Sequence, residues 1–99
     1  IEGNYLPIEF ALYQNYPNPF NPSTKIKYDL PEDSFVQISI YDITGRKIKN
    51  LLNDKQFAGH RQIRWDATND RGEGVSAGMY IYTIDTGHFR STKKMVLLK

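Results

Sequence analysis

The sequence predicts an all-β fold, an immunoglobulin-like antiparallel β-sandwich of about seven strands, on three observations. Apolar and polar residues alternate with a period of two through most of the chain. Turn residues break that alternation at roughly ten-residue spacing, the rhythm of a sandwich. No segment shows a 3.6-residue apolar period with caps at both ends, so helix is expected to be close to absent. The 99 residues make one domain that buries roughly 60–65% of its unfolded surface, enough for one modest core but hardly for a deep catalytic cavity as well. There is no cysteine, hence no disulfide framework and no thiolate chemistry. No apolar stretch approaches the ~20 residues of a membrane span, and there is no transmembrane segment or secretory leader pattern. Because the chain begins at Ile1, it is expected to be a piece of a larger protein; if that protein is exported, its signal peptide lies upstream.

Residues 1–14 read as a linker, with an edge strand over Phe10–Tyr13 as a seventh strand, and the folded domain is expected over 15–99. Asn15-Tyr16-Pro17-Asn18-Pro19-Phe20-Asn21-Pro22 opens that domain. Its prolines remove three backbone donors, and each residue before a proline is pushed toward extended conformation. The expectation is a stiff, unpaired ribbon that marks a junction. Ile26, Tyr28 and Leu30 then alternate with Lys25, Lys27 and Asp29 as a half-buried strand. Pro31-Glu32-Asp33-Ser34 turns the chain into Val36, Ile38 and Ile40, which alternate with Gln37, Ser39 and Tyr41. Asp42-Ile43-Thr44-Gly45 is a turn with Gly45 at positive φ, and Arg46 to Leu52 is the next strand. Asn53-Asp54-Lys55 is read as another turn, before a strand that carries Ile63 and Trp65.

Residues 66–78 are a long polar turn region. Met79 to Asp85 is strongly β-forming but apolar on both faces, which leaves its core side undecided. Thr86-Gly87-His88 turns into the last strand, Phe89 to Leu98. The core candidates are Ile26, Tyr28, Val36, Ile38, Ile40, Ile48, Ile63, Trp65, Tyr80, Tyr82, Met95 and Leu97.

The charge is uneven: −4 over residues 1–45 and +6 over residues 46–99. The basic side chains interleave with apolar ones at strand period, which reads as solvated strand faces and not a nucleic-acid site. Catalytic patterns are missing. His60 and His88 are lone histidines without a metal-ligand partner in the right spacing, and no serine stands in a G-x-S-x-G setting. Asp66, Asn69, Asp70 and Glu73 could supply oxygen ligands to Ca²⁺, but their spacing departs from a calcium loop and Asx-turn capping accounts for them. Trp65 is read as a core centrepiece ahead of a sugar-stacking platform. Arg90 to Lys99 carries four basic residues and no acidic one. As a final strand it can stand at a sheet edge and template pairing with a partner, with lysine edge protection the equally weighted reading.

Taken together, the motifs resemble a known family. The segment Leu6 to Thr24, then Ile40-Tyr41-Asp42-Ile43-Thr44-Gly45-Arg46, Ala58-Gly59-His60, Trp65-Asp66 with Asn69-Asp70-Arg71-Gly72, Ser76-Ala77-Gly78-Met79-Tyr80-Ile81-Tyr82 and Lys93-Lys94-Met95-Val96-Leu97-Leu98-Lys99 look like the type A C-terminal sorting domain of the type IX secretion system. Ser76 stands where many members carry proline. The resemblance implies a non-catalytic address label, with no cofactor, on an exported cargo that passes through the periplasm to the cell surface or medium. It implies an outer-membrane translocon and a sortase-like protease as partners, a covalently linked upstream cargo, and cleavage at or upstream of Asn15. Translocon recognition is carried over to Gly78, Tyr80, Lys93, Lys94 and Lys99, with Asn15–Pro22 as the N-terminal signature. The Trp-Asp to Gly-x-Tyr pattern is also similar to the Ig-like domain of the flagellar hook-capping protein, which implies an assembly role instead. A carbohydrate-binding or structural accessory module of a secreted enzyme is the third reading.

Overall fold

The computed structural model describes residues 5–98. Its strands are β1 (Ala11–Leu12), β2 (Thr24–Leu30), β3 (Ser34–Asp42), β4 (Lys47–Gln56), β5 (Gly59–Trp65), β6 (Gly78–Asp85) and β7 (Arg90–Leu97). They form two antiparallel sheets, β1-β2-β5 and β4-β3-β6-β7. No helix occurs among the described residues. The all-β sandwich follows from the period-two pattern: Ile26, Tyr28 and Leu30 of β2 and Val36, Ile38 and Ile40 of β3 are buried on the inner faces of the two sheets.

Trp65 is completely buried. Its ring lies 5.4 Å from Tyr80, edge to face, and 5.8 Å from Phe20. Its indole N–H donates to the Thr68 carbonyl at 2.9 Å, so the polar edge is satisfied inside the core. This rules out Trp65 as a sugar platform. On β6 the inward set is Tyr80, Tyr82 and Ile84, which settles the face that two-sided apolarity leaves undecided. Ile48 and Ile63 differ from expectation in being only partly buried at the margin of the core. Leu12, Phe20, Leu30, Ala67 and Ile84 join it.

Two sequence expectations are overturned. Asn53-Asp54-Lys55 is not a turn: β4 continues to Gln56, with Asn53 opposite Gln37 and Asp54 opposite Val36. A solvent-facing edge strand tolerates these polar residues once its partner β3 begins as early as Ser34. The proline-rich run is not an unpaired ribbon either. Tyr16 bridges Lys25, Phe20 bridges Leu97, and the Phe20 ring is buried. Proline removes only its own N–H, so the residues between the prolines keep donors and acceptors that find partners.

The turns obey local chemistry. Asp42 Oδ1 accepts the Thr44 and Arg46 amides and the Thr44 hydroxyl, while Gly45 takes φ of 89°. The Thr44 hydroxyl, more than any other neighbour, holds the Asp42 carboxyl below its usual range. In the 66–78 region Asn69 Oδ1 accepts the Arg71 and Glu73 amides, and Asp70 Oδ1 accepts the Asn50 amide. Those oxygens cap backbone donors, the Asx-turn role.

Candidate functional site

The site is built where the first and last segments of the domain meet. β7 is the outer strand of the four-stranded sheet. Its residues alternate between pairing with β6 and turning their backbone groups outward. The outward groups of its second half are clasped. The Val96 amide donates to Asn18 Oδ1 at 3.0 Å, and the Phe20 amide donates to the Val96 carbonyl at 3.0 Å. The Leu98 amide donates to the Phe20 carbonyl at 2.8 Å, and Gln14 Nε2 donates to the Lys94 carbonyl at 2.7 Å.

Upstream of this clasp β1 lies alongside β7 and the Phe10 ring stacks on Phe89 at 5.5 Å, but the outward backbone groups of β7 are not hydrogen-bonded. Among the described residues the Thr92 amide and carbonyl and the Lys94 amide have no protein partner. Arg90, Thr92 and Lys94 are exposed and Lys93 is half-buried. By alternation Lys93 and Lys94 point to opposite faces, Lys93 toward the core side that Met95 and Leu97 occupy. Lys93 stands opposite Tyr82 and Lys94 opposite Ile81. Arg90 is tied to Asp85 at 2.9 Å.

The other residues carried over by resemblance lie elsewhere. Tyr80 is only 6% exposed; its hydroxyl donates to the Ser76 carbonyl at 2.6 Å and burial raises its pKa. It is a post inside the core, not a contact surface. Gly78 is exposed at the start of β6, opposite Leu97, with φ of 146° and no atom within 4 Å of where a Cβ would stand. Backbone conformation, and not crowding, favours glycine there. Lys99 lies outside the described residues. Asn15 is buried: its amide donates to the Tyr82 hydroxyl at 2.8 Å, and its side-chain amide reaches Thr24 Oγ1 at 3.0 Å. The Tyr82 hydroxyl in turn donates to the Tyr13 carbonyl at 2.8 Å. Burial pushes the Tyr82 hydroxyl up to about 12.

Compared with known protein families, the chain matches the secretion system C-terminal sorting domain over residues 14–98. It belongs to that family. A sorting domain is a non-catalytic signal, and it marks a secreted or surface protein. Comparison with curated proteins found no match. Among solved structures the sorting domain is similar to part of dimeric latent PorU from Porphyromonas gingivalis, at 26% identity and a TM-score of 0.69. That similarity covers 86% of this chain and 9% of PorU. It also resembles part of PorZ, an essential bacterial surface component of the type-IX secretion system of the same organism. There the identity is 18% and the TM-score 0.59, over 91% of this chain and 11% of PorZ, a likeness of fold. The chain therefore spans about a tenth of the length of these structures.

Sequence reasoning singled out both ends of the sorting domain, but not their hydrogen bonding to one another. The missed residues are Gln14, Asn18 and Phe20 as the clasp. The signal for it was Phe20 itself, a large apolar residue among prolines and asparagines with no strand to explain it.

Proposed function

We propose that this sorting domain directs a covalently linked upstream cargo through the type IX outer-membrane translocon, and that the translocon docks on the Arg90–Lys94 stretch of β7. One observation carries this reading: the outward backbone groups of β7 are clasped from the Lys94 carbonyl to Leu98, while the Thr92 amide and carbonyl and the Lys94 amide are left without a hydrogen-bond partner among the described residues. An open edge accepts an added strand through main-chain hydrogen bonds, each worth about 0.5–1.5 kcal/mol net. The open stretch is basic, with Arg90, Lys93 and Lys94 and no acid in the strand, which favours an acidic receptor strand and speeds encounter. Gly78 and Tyr80 act indirectly in this reading: Tyr80 anchors β6 on Trp65, and Gly78 lets the chain enter β6 opposite Leu97.

A sortase-like protease acts on the chain ahead of β1, consistent with cleavage upstream of Asn15. Tyr5, Leu6 and Ile8 are exposed there, whereas from Ala11 onward the chain is paired and packed. The passage runs through the periplasm to the cell surface or medium.

The experiment is a secreted reporter fused ahead of residues 1–99 in a bacterium with a type IX system. Lys93→Glu with Lys94→Glu is expected to leave the reporter in the periplasm while the purified variant melts as the parent does. Normal surface delivery of that folded variant would rule the docking edge out.

A further inference from the structure

We propose that the outer face of the three-stranded sheet is a binding site for an acidic polysaccharide of the uronate type. The strand registers line up three rows on that face. Tyr16 bridges Lys25, which is opposite Arg64. The Tyr13 amide donates to the Lys27 carbonyl at 3.0 Å, and Lys27 is opposite Gln62. Ala11 is opposite Asp29, which is opposite His60. The first two rows enclose a shallow concavity of about 410 Å³ lined by Tyr13, Gln14, Tyr16, Lys25, Lys27 and Gln62.

Each chemical element of sugar recognition is present. Tyr16 is 79% exposed and Tyr13 46%, so both offer ring surface to the C–H face of a pyranose. Gln62 supplies an amide donor and acceptor for hydroxyls, and Gln14, whose Nε2 is held by Asn15 and Lys94, supplies its carbonyl oxygen as an acceptor. Lys25 and Lys27 lie on one face about 7 Å apart along the strand, with Arg64 beside Lys25. Among the described residues none of these three cations has a carboxylate at salt-bridge distance. The acid on the face, Asp29, is already engaged: the Tyr13 hydroxyl bonds one oxygen and His60 Nδ1 lies 2.7 Å from the other. Glu9 is the other acid whose charge reaches Tyr13. The face therefore presents net positive charge to a ligand, and the complement is anionic.

The backbone at both tyrosines and the Tyr13 ring are held before any ligand arrives. Tyr16 exchanges two main-chain bonds with Lys25, both 2.9 Å. Tyr13 is fixed by Lys27, by Asp29 and by the Tyr82 hydroxyl. Such preorganisation lowers the ordering cost of binding. A merely solvated strand face needs neither two exposed rings on a paired backbone nor lysines between them that lack a carboxylate partner among the described residues.

Calorimetric titration of the 99-residue protein with polygalacturonate tests the site, with neutral dextran and single-stranded DNA as comparison probes. Polygalacturonate is expected to bind and dextran not. Tyr16→Ala, and separately Lys25→Gln with Lys27→Gln, should each weaken binding at least tenfold without moving the melting temperature, while Tyr16→Phe retains it. Lys47→Gln with Lys55→Gln on β4, the same loss of charge elsewhere, should change it less than twofold. The site is overturned if polygalacturonate does not bind, if the β4 pair weakens it equally, or if DNA binds more tightly than polygalacturonate in a Tyr16-dependent way.

Discussion

The side-chain oxygen of Asn18 accepts a hydrogen bond from the Val96 amide at 3.0 Å, joining residues 78 positions apart in the chain. With the bonds of Phe20 to the Val96 carbonyl and the Leu98 amide, on either side of Leu97, it makes the proline-rich run a short second neighbour to the last strand. The run thus closes half of the edge that the last strand would otherwise expose.

Asn18→Ala removes the acceptor and leaves the Val96 amide to water. Global stability is expected to fall by about 0.5–1.5 kcal/mol, the net worth of one such bond. Hydrogen exchange at Val96 and Leu98 should speed up well beyond that at Tyr80 and Tyr82, which lie inside the sheet.

Phe20→Ala empties a buried ring position beside Trp65. The expected cost is about 3–5 kcal/mol in a denaturant titration. A domain of this size has about twice that in total, so the variant should melt far lower and lose the protection of β7 first.

Tyr82→Phe deletes a hydroxyl that donates to the Tyr13 carbonyl and accepts the Asn15 amide. Leaving that buried amide unpaired costs about 1–3 kcal/mol. The same hydroxyl has a pH signature. Its folded pKa, about 12, lies above the unfolded value near 10, so its stabilising contribution is complete below pH 10 and is lost as pH rises through 12. Parent stability should drop by about 2–3 kcal/mol over that window from this group. The drop should be smaller by that amount in Tyr82→Phe.

Gly78→Ala meets no steric neighbour but places a Cβ at φ of 146°. The expected cost is about 1–3 kcal/mol of backbone strain, with the core signals of Trp65 unchanged in fluorescence. A loss below 0.3 kcal/mol would show that the entry to β6 relaxes freely.

The sandwich was legible because burial on one face writes itself into a strand as alternation. Ile26-Tyr28-Leu30 and Val36-Ile38-Ile40 carry that signal locally, and no distant partner is needed to read it. Phe20 carries none: its burial depends on Leu97 and Trp65, which only the closed fold brings near. Asp29 alternates with the apolar set and reads as solvated, yet it is buried because Tyr13, just past β1, and His60 of β5 cover it. The extension of β4 through Asn53 and Asp54 was equally hidden, since polar residues on an edge strand look like a turn. The candidate edge was visible as a basic last strand, but which half of it is open depends on the clasp.

Site-specific photo-crosslinking during export tests the central claim most directly. A benzophenone side chain is placed at Lys94, on the open stretch of β7, or at Lys55, on the far edge strand β4, in a reporter fused ahead of residues 1–99. Crosslinks to outer-membrane translocon subunits from position 94 and none from position 55 are the predicted result. Crosslinks from position 55 alone, with both fusions exported, would contradict it.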